Sequence, residues 1–197
     1  MWLRIHRFLP FTRAEGPGNR SCLWVQGCSI HCPGCAVPWT WDAKAGQAVQ
    51  VDELAAQILQ QPEVEGVTFL GGEPFDQAAA LAELGQQIKA AGLSVMTFTG
   101  NTLEQLREAD RADWQALLNV TDLLVDGPFQ VEHLDLSRPW VGSSNQRYYF
   151  LSDRYRHLAT ELDQIPNRLE VRLQPDGQVL INGMATAADL EALLVNL

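Results

Sequence analysis

The chain has 197 residues, 46% of them hydrophobic, and carries 24 acidic side chains against 14 lysines and arginines, a formal net charge of −10. That length fits one domain with a sizeable core and room for a small appendage. The acidic balance argues against general binding to nucleic acid or to an anionic membrane surface, and no run approaches the roughly 18 apolar residues of a membrane span.

In chain order, residues 3–8 read as an extended piece leading to a Gly/Pro loop at 16–18. Residues 1–20 gather Arg4, Arg7, Arg13 and Arg20 against Glu15 alone, a pattern that reads as a solvated basic face or as a docking site for an acidic electron carrier. The first 18 residues, broken by Pro10 and the arginines, lack the apolar core of a signal peptide. Residues 22–26 form an apolar strand, and three of the four cysteines follow it within eight residues. Such a cluster is unlike a secreted disulfide framework, so a cytoplasmic protein with reduced thiols is expected.

Val51, Leu54, Ala55, Ile58 and Leu59 have the spacing of a helix with one buried face. Residues 66–70 (GVTFL) predict a strand ending in Gly71-Gly72-Glu73-Pro74. A helix over 77–91 follows, with Leu81, Leu84 and Ile88 inward and Gly92 as its stop. Residues 93–98 read as a strand, and Thr102 with Gln105 as a capping box opening another helix. Residues 123–125 form a fourth strand closed by Asp126-Gly127-Pro128, and 148–151 a fifth. Segments 170–173 and 178–181 flank Asp176-Gly177 as a hairpin before a last helix at 187–195.

Alternating strands and helices predict an α/β fold with parallel strands and right-handed crossovers. A closed eight-unit barrel needs about 250 residues, so a partial, open (β/α) barrel is expected, with its site at the carboxyl edge of the strands. Two parts are expected: a partial-barrel domain over 1–168 and a small C-terminal extension, hairpin and helix, over 169–197.

Cys28, Cys32 and Cys35 form C-x3-C-x2-C. Three thiolates in one tight loop hold three irons of a cubane and leave the fourth without a protein ligand, whereas electron-transfer clusters commonly use four cysteines. An open iron implies a substrate or cofactor bound there. Zinc is the rival, with Cys22 or His31 as fourth ligand, although paired short spacings are its usual signature and only one C-x2-C is present. Cys22, inside an apolar strand, reads as a small buried side chain. Taken alone GGEP reads as a turn, Thr99-Gly100 as a helix start and Asp126-Gly127 as an Asp-Gly turn. Trp39 and Trp41 read as shields for the loop or as plain core. His6, His133 and His157 have no partner spacing.

C-x3-C-x2-C followed by a strand ending in GGEP resembles the radical S-adenosylmethionine (SAM) superfamily. The series Gly16-Pro17-Gly18 with Arg20, QGC…CPGC, Thr40-Trp41, GGEP, Thr99-Gly100, VDGPF (125–129) and GSSNQ (142–146) goes further. Over residues 3–150 it is similar, in that order, to the activating proteins of anaerobic ribonucleoside-triphosphate reductase, a glycyl-radical enzyme activase family. Ala36-Val37 replaces the aromatic residue and Asn often found there, Val141 replaces an Arg, and 169–197 extends beyond the short activases.

The resemblance implies a [4Fe–4S] cluster on Cys28, Cys32 and Cys35, with the SAM amine and carboxylate on the open iron. It places Gly71, Gly72, Glu73 and Pro74 at the methionine amine, where a bulky residue at Gly72 would weaken SAM binding and spare iron. The backbone at Gly34 and Ala36 would lie against the adenine, with Thr99, Gly100 and Asp126 facing SAM. It implies reductive cleavage of SAM to a 5′-deoxyadenosyl radical that installs a glycyl radical on a partner enzyme, with electrons from a flavodoxin or ferredoxin-type donor. The alternatives are a radical SAM enzyme for a small molecule or ribosomal peptide, and a non-enzymatic metal-binding interaction module.

Overall fold

The structure is a computed structural model that describes residues 1–195. Strand β1 (Trp2–Thr12) runs antiparallel to β2 (Arg20–Val25) and to the edge strand β3 (Gln47–Gln50). Beyond β2 the sheet is parallel through β4 (Gly66–Gly71), β5 (Ser94–Phe98) and β6 (Leu123–Asp126). Strand β7 (Arg147–Phe150) closes the row antiparallel to β6. The seven strands lie in the order β3-β1-β2-β4-β5-β6-β7, so β3 and β7 are edges and the sheet stays open. The open α/β architecture agrees with the sequence. The purely parallel direction does not, because β1, β3 and β7 reach their neighbours through turns or loops rather than helical crossovers.

Helices α1 (Val51–Leu59), α2 (Ala78–Ala90) and α4 (Ala112–Val120) cover one face. Leu54, Ile58, Leu81, Leu84, Ile88 and Leu117 from these helices pack with Leu23, Val67, Phe69, Val95 and Leu124 of the strands in one buried cluster. Burying each of these side chains contributes about 1.5–3 kcal/mol. Short helix α3 (Leu103–Glu108) follows β5. On the other face Met96, Leu123 and Val125 pack with Trp140, Val141, Tyr155 and Leu158. Strands β8 (Leu169–Leu173) and β9 (Val179–Gly183) form a separate hairpin, followed by α5 (Ala187–Val195).

The N-terminal basic face expected from the sequence does not form. Arg20 is fully buried at the foot of β2, donating to Thr68 Oγ1, Val67 O, Pro17 O, Ser94 Oγ and the Tyr155 hydroxyl, with no carboxylate among its partners. Arg7 lies 3.9 Å over the Trp24 ring. Strand alternation explains both: these positions point onto the inner face of the sheet rather than to solvent.

Candidate functional site

β2 ends at Val25 and the cysteine loop begins where its carboxyl edge meets that of β4. Both legs of the loop are tied. Gly27 N donates to Thr40 O (2.7 Å) and Cys28 N to Trp41 O (3.2 Å), while the buried Gln26 amide donates to Trp39 O and Asp42 O. Ser29 is fastened to the Asp76 carboxylate by its N–H (2.7 Å) and its hydroxyl (2.8 Å). The loop and the GGEP turn bond directly, since Glu73 N donates to Gly27 O at 2.8 Å and Gly72 N to Val25 O at 2.9 Å.

Cys28, Cys32 and Cys35 are free and partly exposed, whereas Cys22 is buried in β2 as the sequence predicts. The Cys35 sulfur accepts from Val37 N at 3.4 Å, and backbone N–H groups of Ile30 and His31 near Cys28 and of Phe129 near Cys32 favour the thiolates. Burial pushes the Cys28 and Cys32 thiols up, and these N–H groups oppose it. Soft sulfurs cushioned by N–H donors suit an iron–sulfur cluster, whose thiolates are stabilised in this way. Among the described residues no three Cys, His, Asp or Glu side chains converge as a single ion would require. A cubane asks for a different arrangement, one thiolate per iron at separate corners.

The family model described as "4Fe-4S single cluster domain" matches residues 14–149. The anaerobic ribonucleoside-triphosphate reductase-activating protein of Vibrio cholerae is 32% identical over 152 residues, 73% of this chain and 96% of its own length. Its namesake in Escherichia coli K12 is 30% identical over 157 residues, covering 76% and 99%. That of Enterobacteria phage T4 is 30% identical over 154 residues, covering 75% and 94%. The chain belongs to this activase family. It is a radical SAM enzyme whose cofactors are a [4Fe–4S] cluster and S-adenosylmethionine.

In this activase Glu73 is 1% exposed and does not hang into the mouth. Its Oε1 accepts from Phe75 N (2.9 Å) and Thr99 Oγ1 (2.9 Å), and Oε2 accepts from Gly100 N (2.8 Å). One carboxyl group therefore joins the β4 and β5 turns, bringing Gly71–Pro74 and Thr99-Gly100 together. Burial outweighs the three donors and pushes the group up to about 7. Gly100 also borders the cysteine loop: a Cβ there would lie 3.0 Å from the Ile30 side chain.

Two of the expected positions have structural tasks of their own. The Asp126 carboxylate is fully buried, but it accepts from Leu103 N (2.6 Å) and from the Arg147 guanidinium (2.7 and 3.0 Å). It anchors the start of α3 and β7. At Gly72 a Cβ would stand 2.0 Å from Gly27 O, so a larger residue collides with the backbone that precedes Cys28.

Gly34, at φ +75°, and Ala36 lie at the exposed tip of the loop. The His31 ring stacks on Trp41 at 4.7 Å, while Trp39 is 59% exposed and thus not core. Sequence reasoning missed the contribution of Phe129 and of Asp76. The VDGPF motif signals the first, but nothing in its residue types says that the useful atom is a backbone nitrogen.

Proposed function

We propose that this activase uses SAM and its cluster to install a glycyl radical on a partner enzyme of the anaerobic ribonucleoside-triphosphate reductase class. The observation that carries this reading is the C-x3-C-x2-C loop, hydrogen-bonded to the GGEP turn at the carboxyl edge of an open sheet. When bound, the cluster and SAM supply the low-potential electron and the 5′-deoxyadenosyl radical that takes a hydrogen atom from the partner's glycine.

The chain's own residues do the holding. Cys28, Cys32 and Cys35 bind three irons. The Gly71, Gly72 and Pro74 turn, braced by Glu73, meets the methionine amine through its backbone. Gly34 and Ala36 present backbone to the adenine, and Thr99 and Gly100 form the facing wall. An open sheet leaves a lateral approach for an extended loop of another protein, where a small molecule would want enclosure. The electron donor is of flavodoxin or ferredoxin type and the setting is cytoplasmic. Residues 1–168 form the catalytic domain and 169–197 an appendage. Among the described residues no helix is long and apolar enough to cross a membrane.

Electron paramagnetic resonance of reduced, reconstituted protein with SAM and a co-encoded glycyl-radical enzyme tests the reading. A stable protein radical is expected, together with loss of iron in Cys28→Ala, Cys32→Ala or Cys35→Ala but not in Cys22→Ala. Steady turnover of a small molecule with no protein radical would overturn the partner; iron loss in Cys22→Ala alone would overturn the ligands.

A further inference from the structure

At the amino-terminal feet of the strands, the length of β2 away from the cysteine loop, lies a cavity of about 410 Å³ that the reading above leaves without a task. One side of it is the loop Gly16-Pro17-Gly18-Asn19, which feeds directly into β2. This loop is tied to the turn before β4: Asn19 N donates to the Glu65 carboxylate (3.1 Å) and Asn19 Nδ2 to Glu63 O (3.0 Å). The facing wall is built from Trp140 and from Leu158 and Ile165 of the segment after β7. Trp140 has a φ of +64°, a conformation that residues other than glycine rarely hold. Asn167 fixes it there: Asn167 Oδ1 accepts from Trp140 N (3.1 Å), and Nδ2 donates to Leu136 O and Arg138 O.

The charge lining this cavity has one sign. Arg13 and Arg168 border it and no carboxylate does. Asn19 Oδ1 accepts from Arg13 Nε (3.0 Å), which orients the guanidinium and leaves its two terminal nitrogens without a hydrogen bond among the described residues. Arg168 has no side-chain hydrogen bond or ion pair among them. Behind the loop, buried Arg20 donates to Pro17 O (3.2 Å), so a third cation adds its weakly screened field from the interior. An unpaired guanidinium is a planar fork that fits the oxygens of a phosphate or carboxylate. Trp140, Leu158 and Ile165 make the rest of the wall apolar, and the volume lies in the range of small-molecule pockets.

We propose that this cavity is a second binding site, for a small phosphate-bearing anion with a planar apolar body, the chemistry of a nucleotide. Arg13 and Arg168 take the phosphate oxygens, and the Trp140 wall takes the body. A bounded cavity of this size suits a small molecule, whereas an acidic protein segment would need an extended groove. The ligand joins the loop before β2 to a segment near the far end of the sheet domain, so its binding stabilises the folded chain by mass action. Strand β2 carries this loop at one end and the cysteine loop at the other, which puts the site outside the SAM mouth yet on the same strand.

The test uses full-length reconstituted protein with its cluster oxidised, so that SAM is not consumed, and reads binding by anaerobic calorimetry with ATP, tripolyphosphate and adenosine as probes. ATP should bind at one site per chain, more tightly than either tripolyphosphate or adenosine, and saturating SAM should leave its affinity unchanged. Arg168→Ala should weaken ATP by at least about tenfold without altering the melting temperature of the ligand-free protein, because that side chain holds nothing else among the described residues. Arg13→Ala should do the same; since Arg13 also bonds Asn19, the Arg168 variant decides the matter if Arg13→Ala fails to fold. Displacement of ATP by SAM, or unchanged affinity in Arg168→Ala, would place the ligand elsewhere and overturn the site. Tripolyphosphate binding as tightly as ATP would overturn the planar body, and no binding of either at millimolar concentration would overturn the proposal outright. None of these readouts involves a partner enzyme or a radical, so they stand or fall apart from the glycyl-radical reading.

Discussion

Glu73 is a carboxyl group surrounded by three donors and almost no water, and its titration leaves a measurable trace. Its folded value of about 7 exceeds the ordinary 4.5, so the folded protein keeps a proton that the unfolded chain releases across this window. The group's contribution to stability is therefore highest below pH 4.5, falls as pH rises to about 7, and is level above. In cluster-free protein, the unfolding free energy of wild type relative to Glu73→Gln should drop by roughly 3 kcal/mol over that range. A flat difference would mean that the donors balance burial, and a rise with pH that they outweigh it. Neighbouring glycines separate iron from SAM. Gly72→Val strikes the backbone beside Cys28 and should lose iron as well as SAM affinity. Gly100→Ala meets the branch of the Ile30 side chain, Cγ1 and Cγ2 at 3.0 Å, and no backbone. It should keep its iron and bind SAM severalfold more weakly by anaerobic calorimetry; unaltered affinity would remove Gly100 from the SAM wall.

At the scale of elements, α3 has six residues, too few to be stable alone. Thr102 and Gln105 form both halves of a capping box, as the sequence predicts, and Asp126 bonds the N–H of Leu103. Asp126→Ala removes that bond and leaves Arg147 to Glu104 alone, so a loss of about 1–3 kcal/mol is expected, read as a Tm lower by about 2–4 °C per kcal/mol. Weaker SAM binding at unchanged Tm would instead return Asp126 to the mouth. Elements with a strong period or an explicit stop were legible in sequence: α1, α2 with Gly92 after it, the β4 turn and the β8–β9 hairpin. Strand β3 (QAVQ) was not, because its four residues are short of any period, mostly exposed, and owe their form to pairing with β1. Helix α4 carries no side-chain cap to announce it. Its placement comes from packing, as when Trp114 donates to Phe75 O at 2.8 Å.

For the whole molecule, the C-terminal hairpin is stitched to the N-terminal strand. Glu170 accepts from Thr12 and Arg13, while Asn182 and Gly183 N donate to buried Glu15, whose carboxyl burial has already pushed up. Truncation after Arg168 takes those donors away. The shortened chain should melt at lower temperature yet bind iron in the same stoichiometry; lost iron would deny residues 1–168 the standing of a domain. Such long-range polar contacts are invisible to local pattern, which is why four arginines resembled one basic face while Arg20 lies in the interior. The candidate site was legible because its chemistry is local: three thiols in eight residues and a turn after a strand.

The Arg20 network also bears on the order of events during synthesis. Its guanidinium links the feet of β2, β4 and β5, and its last partner, Tyr155, lies 135 residues further along the chain. A nascent chain therefore exposes the finished cysteine loop long before the residue that completes the shell around this cation has left the ribosome. Until then the cation must be solvated by water, and the inner face beneath the loop stays open.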